Sequence, residues 1–275
     1  MKNNPISIIV LLLSLVLPTC LFAQYAKLRL EYQCTTKIGN KNFAGKNTLY
    51  CNEDEGLYVH NDWPLKDSIS FNDNVADVTT GDAEGMPIFM NLKDSLVDYK
   101  TDWLSRSNNF FIITEKLQPI LWKIDNQQKK IGQYTCLHAI GSFAGRVYDA
   151  WFTLDIPISL GPYKLWGLPG LILSAHSQDG YVKYDLRRVT KLLQNEFILE
   201  KPKTGRYVTR DEYKEITINR LLKVEAMSTE SSYGTMDDPP LDWYVERGLI
   251  TVITDYKNAR SQKNKKPKQY NSVQQ

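Results

Sequence analysis

A chain of 275 residues with 42% hydrophobic and 24% charged residues has the make-up of a folded protein, which excludes disorder throughout and a membrane-embedded body. The net charge of +3, from 34 basic against 31 acidic residues, is too small for a nucleic-acid surface, so no nucleic-acid partner is expected. Sixteen Tyr, nine Phe and six Trp favour half-buried β surface.

The N-terminus reads as a signal peptide over residues 1–23. Lys2 precedes an apolar run from Ile6 to Leu17, and Ala23 supplies a small residue at the cleavage point. The run is too short to span a bilayer, which needs roughly 20 apolar residues. Cys20 invites a lipoprotein reading, but Pro18 and Thr19 stand where small residues normally precede a lipidated Cys. Export to the periplasm or outer membrane is the expectation.

From residue 24 to 256 no repeat or long linker appears, which predicts one β-rich domain. Leu28, Leu30 and Tyr32 alternate with Lys27, Arg29, Glu31 and Gln33 in a strand from Ala26 to Thr35. Turn residues over Gly39 to Gly45 then lead to a second strand at Thr48 to Asn52 and a third at Leu57 to His60. Placing the first turn near Asn42 and Phe43 sets Cys34 opposite Cys51, so a disulfide between them is expected, with Cys136 reduced. The polar region from Asp62 to Asn109 predicts long loops with one or two strands.

Strand candidates resume at Phe110 to Glu115, Ile120 to Ile124, Ile131 to Ile140, Arg146 to Leu154, Leu171 to His176 and Tyr181 to Thr190. Asp179-Gly180 marks a hairpin turn before the last of these. Thr209 and Glu212 have capping-box spacing, and Tyr213, Ile216, Arg220, Leu221 and Val224 form a helical stripe, which predicts a helix over Arg210 to Ala226. Leu249 to Thr254 reads as a final strand. Residues 257–275 carry six basic and no acidic residues and read as a disordered basic tail. The fold class expected is mainly β: an antiparallel meander forming an incomplete barrel or sandwich, with one amphipathic helix packed on it.

Familiar catalytic signatures are missing. There is no Gly-x-Ser-x-Gly elbow, no His-Glu-x-x-His, no Cys-x-x-Cys and no phosphate loop. His60, His138 and His176 fall on three separate strand candidates; a metal site with Asp149 or Asp179 would require two of them to converge, and no metal or cofactor is expected. Period two places Tyr134, Cys136 and His138 on one face, which opens the reading of a Cys–His nucleophile pair.

The most distinctive stretch is Gly161-Pro162-Tyr163-Lys164-Leu165-Trp166-Gly167-Leu168-Pro169-Gly170-Leu171-Ile172. Pro169 restricts itself and Leu168, while Gly170 permits a turn conformation barred to other residues, so a rigid apolar corner is predicted. At these residues, and upstream at Tyr134, Cys136, Arg146, Tyr148, Trp151 and Ile156-Pro157, the chain resembles the GLPGLI family of exported Gram-negative proteins. Trp166 stands where many members carry a smaller residue. The resemblance implies export and a shared fold, and no reaction.

The function expected is that of an exported cell-envelope binding protein, non-catalytic, with an envelope lipid, a peptide or an outer-membrane protein as partner. Its candidate binding residues are Trp151, Trp166, Gly167, Leu168, Pro169, Gly170, Leu171 and Ile172, with Trp122 and Phe152 completing a concave aromatic wall. A periplasmic hydrolase using Cys136 and His138, and a structural assembly subunit, are the alternatives. The oligomeric state is left open.

Overall fold

Alternating apolar and polar residues make strands the dominant element of the described residues, and the pairing of those strands is set out in a computed structural model that describes residues 25–38, 41–61, 68–72, 75–79, 84–101 and 110–228. The predicted signal peptide, the strand at Leu249 to Thr254 and the basic tail lie outside the described residues. The strands are β1 (Leu28–Ile38), β2 (Lys41–Cys51), β3 (Glu55–His60), β4 (Ser68–Asn72), β5 (Val75–Thr79), β6 (Ile88–Asn91) and β7 (Leu96–Thr101). They continue as β8 (Phe111–Lys116), β9 (Lys123–Ile131), β10 (Tyr134–Phe143), β11 (Arg146–Thr153), β12 (Leu171–Ser177), β13 (Val182–Lys191) and β14 (Arg206–Thr209). The helix α1 spans Arg210–Ser228.

Twelve strands form one sheet in the order β14-β8-β7-β6-β3-β2-β1-β13-β12-β11-β10-β9, while β4 and β5 pair with each other. Every neighbouring pair in the large sheet is antiparallel except β14 with β8. Two meanders, β1 to β3 and β9 to β13, are thus joined through β1 and β13. The sheet is open: β9 and β14 end it without pairing to each other.

The sheet nevertheless curls. Leu160, in the connection between β11 and β12, accepts a hydrogen bond from the Ile172 amide at 3.0 Å, and its Cδ1 lies 3.0 Å from where a Cβ on Gly56 of β3 would sit. Strands β3 and β12 are four spacings apart, about 19 Å in a flat sheet. One leucine cannot bridge that distance, so the strands wrap around it. The fully buried Leu160, Leu165 and Leu168 of this connection join Leu30, Tyr32, Leu49, Tyr58, Phe152 and Leu173 in the main core.

The far end of the connection is fixed by charge. Lys164 is buried, with Nζ 3.3 Å from the Tyr99 ring centroid and 3.3 Å from Glu115 Oε1, and Glu115 also receives Arg210 Nη1 at 2.6 Å. A buried ammonium is tolerable only when so paired. Residues 154–170 therefore cross from β11 to β7 and β8 and return to β12.

Helix α1 begins as the sequence predicts. The Thr209 amide donates to Glu212 Oε2 at 2.7 Å and the Glu212 amide donates to Thr209 Oγ1 at 3.2 Å, which closes the capping box. Tyr213 and Thr217 are buried and Ile216 packs on the small core of Phe111, Ile113 and Val208.

Four expectations are corrected. First, β1 and β2 are longer than predicted and pair from Ile38 with Lys41, so Cys34 faces Gly45 and Cys51 faces Leu28. The two cysteines are six residues out of register, about 20 Å, far beyond the roughly 7 Å limit for a disulfide, and Cys34, Cys51 and Cys136 are all free. Second, the described residues of the Asp62 to Asn109 region hold four strands, β4 to β7, whose short, polar-interrupted sequences hid them. Third, the apolar Ile120 to Trp122 run lies outside β9, and Trp122 packs on the bare backbone of Gly141, where a Cβ would come within 2.8 Å of its Cζ3. Fourth, Gly132, at φ 59°, splits the predicted Ile131 to Ile140 strand into the β9–β10 hairpin.

The corner glycines generate a graded test. A Cβ at Gly170 would lie 2.8 Å from the Thr153 carbonyl carbon and closer still to its oxygen, so the requirement there is space. The left-handed conformation predicted for Gly170 belongs to Gly167, at φ 92°. Gly170→Ala should cost about 3 kcal/mol as an overpacked backbone contact, and Gly167→Ala about 1–2 kcal/mol as backbone strain. Urea unfolding measures both; an unchanged midpoint for Gly170→Ala would show that β12 does not need this approach to β11.

Candidate functional site

The corner residues divide by burial. Leu168, Leu171 and Ile172 are 0–1% exposed and belong to the core, and Gly170 is buried against Thr153. Gly167 and Pro169 are exposed and Trp166 is half-buried. The corner backbone is pinned from several sides: Gly167 N–H donates to Ser159 O at 3.1 Å, Leu171 N–H to Ile156 O at 3.0 Å, and Tyr32 Oη to Ile172 O at 2.7 Å. Two indoles complete the clamp, Trp122 Nε1 donating to Trp166 O at 2.8 Å and Trp166 Nε1 to Gln118 O at 3.1 Å.

Around that corner lies an apolar rim. Leu121 is 87% exposed and follows Ile120, which enters the core; Leu154 is 55% exposed and flanks Gly170. Of the concave wall expected from Trp122, Trp151, Phe152 and Trp166, Phe152 is fully buried and the two corner indoles turn their N–H groups onto backbone carbonyls, Trp122 onto Trp166 and Trp166 onto Gln118. The concavity itself is filled by residues 154–170.

Trp151 lies apart from the corner. Its ring packs on His138 at 4.7 Å between centroids, and Lys129 Nζ sits 4.2 Å from the indole centroid. His138 is held from two sides, Nδ1 at 2.7 Å from Asp125 Oδ2 and Nε2 at 3.3 Å from Asp149 Oδ1. Asp125 reaches the ring because the pairing of β9 with β10 shifts between Leu137 and Ala139: residues 125–127 oppose His138 alone, and Asp125 Oδ1 accepts the Gln127 amide at 2.8 Å. Sequence reading passed over Asp125, although Asp followed two residues later by a free amide is a turn signal.

The same face continues onto β12 and β13. His176 Nε2 lies 2.8 Å from Asp185 Oδ1, and Ser174 Oγ donates to that oxygen at 3.0 Å. A Ser-His-Asp nucleophile needs serine and carboxylate on different ring nitrogens, whereas here Ser174 Oγ, at 3.4 Å, shares Nε2 with the carboxylate. The arrangement orients side chains and activates none. Asp149 pairs with His176 in register and accepts from Gln178 Nε2 at 3.3 Å, linking the two clusters.

Cys136 does not complete a nucleophile pair. Its Sγ faces the Tyr134 carbonyl oxygen at 3.8 Å inside the core, burial pushes its thiol pKa up, and both nitrogens of His138 are taken by carboxylates. Burial likewise raises Cys34, and raises Cys51 to about 12. His60 stands apart on β3, edge-on to the Tyr58 ring, its pKa depressed to about 4 by desolvation, so it is neutral at pH 7. Among the described residues no three His, Cys, Asp or Glu side chains converge to hold a metal ion, and no helix is long and apolar enough to cross a membrane.

Two measurements follow from this geometry. The hydrogen bond from His138, then that from the Gln127 amide, holds the Asp125 carboxyl below its usual pKa. A carboxyl lowered in the folded state adds stability above its unfolded pKa of about 3.9 and loses it as pH falls through the folded value. His138→Gln should move the Asp125 titration up toward about 3.9 in carboxyl carbon NMR, and an unmoved titration would show that the ring does not hold it. Thiol labelling of the denatured, unreduced chain should modify Cys34, Cys51 and Cys136 together; a protected pair would restore the disulfide.

A family model described as a protein of unknown function (Porph_ging) matches residues 144–174, which run from the β10–β11 turn through the corner into β12. No curated protein matches the chain. Among solved structures the chain is similar to PNGF-II, with a TM-score of 0.47 and 16% identity over 70% of this chain and 33% of that one. It therefore spans about a third of the PNGF-II chain. An uncharacterized conserved protein from Thermus thermophilus aligns with a TM-score of 0.34 and 10% identity, covering 66% of this chain and 90% of that one. A LolA superfamily protein from Nitrosomonas europaea aligns with a TM-score of 0.28 and 8% identity, covering 64% and 90%.

Proposed function

We propose that the chain is an exported, non-catalytic binding protein of the cell envelope that receives an apolar or extended partner on the rim of the corner. The observation that carries this reading is the exposure of Leu121 and Leu154, at 87% and 55%, on two sides of the exposed Gly167 and Pro169. Single exposed leucines are ordinary, but two of them bordering one rigid corner make a patch. The rim is held by the Trp122 and Trp166 hydrogen bonds, so docking there costs little ordering of the protein itself. Envelope lipid, an extended peptide or an outer-membrane protein all offer the apolar surface it requires. The leader-like N-terminal segment supports export.

The test is flotation of the full mature chain with vesicles of phosphatidylethanolamine and phosphatidylglycerol, alongside a panel of extended apolar peptides. Leu121→Ser with Leu154→Ser should leave the unfolding midpoint near wild type and weaken binding at least about tenfold, since each buried leucine contributes roughly 1.5–3 kcal/mol. Absence of binding to every probe, or binding that the double variant retains, would overturn the reading.

A further inference from the structure

The connection from β8 to β9 joins strands near opposite edges of the sheet, and its side chains split into two sets. Leu117 and Ile120 are 8% exposed and enter the main core, whereas Pro119 and Leu121 face solvent, Leu121 at 87%. Backbone and indole contacts hold this division. The Leu117 amide donates to Ser95 O at 2.9 Å, Gln118 O accepts from Trp166 Nε1, and Trp122 Nε1 donates to Trp166 O. With Ile120 buried and Trp122 fastened, Leu121 has no inward position to turn to.

The charges of the same stretch are equally one-sided. Residues 116–124 read Lys-Leu-Gln-Pro-Ile-Leu-Trp-Lys-Ile, which places a lysine before and after the exposed leucine and includes no acid. Lys116 and Lys123 are exposed, and among the described residues neither has an ion-pair partner. The acids that bound the stretch are spent internally, Glu115 on Lys164 and Arg210, and Asp125 on His138 and the Gln127 amide. Asp155, beside Leu154, is an exposed acid on the other side of the corner, and the two unpaired ammonium groups outweigh it.

Shape selects among partners. A folded protein needs roughly 800 Å² per side for a stable interface, and an extended peptide needs a groove or a free strand edge. Residues 154–170 fill the concavity, and what the stretch presents is a protruding leucine with Ile124, 46% exposed, three residues on. A bilayer surface is fluid and closes around a single protruding side chain. Cations beside that side chain meet lipid phosphates, and half-buried indoles such as Trp122 and Trp166 suit the headgroup depth.

We propose that residues 116–124 form a membrane-contact loop that inserts Leu121 into an anionic lipid surface, with Lys116 and Lys123 on the phosphate groups. The inference rests on the rim reading and names its partner, the headgroup layer of a bilayer that contains acidic phospholipid.

Vesicle flotation of the full mature chain compares phosphatidylcholine alone with phosphatidylcholine containing phosphatidylglycerol, and extended apolar peptides are tested beside them. Wild type should bind the anionic vesicles at least about tenfold more tightly than the neutral ones, and raised salt should erase the difference. Lys116→Gln with Lys123→Gln should weaken anionic binding by about tenfold or more, at roughly fivefold per lysine, and leave neutral binding as it was. Leu121→Ser should weaken binding to both vesicle types about tenfold. Lys183→Gln with Lys191→Gln, an equal loss of charge at exposed residues of β13, should change binding little. All these side chains are exposed, so the unfolding midpoints should match wild type. Equal binding to the two vesicle types, an anionic preference that the Lys116 and Lys123 variant retains, or an equal loss in the β13 variant would overturn the proposal and leave the rim reading standing. Binding to peptides with none to any vesicle would do the same, whereas no binding to any probe would overturn both.

Discussion

The carbonyl group of Thr153 leaves no room for a side chain at Gly170, and that contact lets the chain leave β11, travel inside the sheet and re-enter as β12 beside the strand it left. Because residues 154–170 make this excursion, Leu160, Leu165 and Leu168 lie where the two faces of a curling sheet would otherwise meet across a void. A void of that size would forfeit dispersion contacts along its whole lining. The inserted segment instead supplies the partner that a twelve-strand sheet with an open seam lacks. Its far anchor, Lys164 against Tyr99 and Glu115, is polar, and it fixes where the segment turns back. An apolar residue there would bury as well but would slide more easily, whereas an ion pair has one satisfied position.

Filling the curl from within mixes two chemistries in one core. At the corner the segment's own backbone is the plug, and the apolar side chains of Leu121 and Leu154 remain outside. Where the segment passes Tyr163, which meets Tyr58 edge-on, the lining strands contribute the buried Tyr32, Tyr58 and Tyr184 among the leucines, and Tyr32 Oη donates to the Ile172 carbonyl. Phenols span the same width as leucine packing while ending in a hydroxyl.

Much of this was legible in local sequence. Thr209 with Glu212 announced α1, Asp179-Gly180 announced the β12–β13 hairpin, and the corner announced itself through Pro169 and two glycines. These signals act over a few residues and need no knowledge of the rest. The failures are non-local. The Cys34 and Cys51 pairing depended on a turn position that differs by three residues, and such an error displaces opposed residues by six. Tyr134, Cys136 and His138 share a period of two, but the shift between Leu137 and Ala139 sends Cys136 into the core and His138 to the carboxylates. Gly170 was rightly singled out for the wrong property, because a close backbone approach leaves no trace in the sequence of the strand being approached. The buried Tyr32, Tyr58, Tyr148 and Tyr184 come from β1, β3, β11 and β13, and only the sheet order brings those strands into one core.

An open sheet must also protect its edges, and the two edges here do so differently. At one, β14 is four residues long, pairs in parallel with β8 and leads directly into the capped helix. At the other, β9 runs nine residues with most of its side chains exposed, the form most prone to accept a foreign strand. Lys123, Lys129 and Lys130 line it, and the crowding of residues 125–127 opposite His138 breaks its ladder midway. That irregularity would be free to slip if nothing held it. Asp125 is tied to His138, His138 to Asp149, and Lys129 to Trp151, so the break is fastened to two interior strands by charge and aromatic contact. On this argument the His138 cluster fixes an edge strand in a register that other chains cannot copy, which accounts for a histidine whose two nitrogens are both spent on carboxylates.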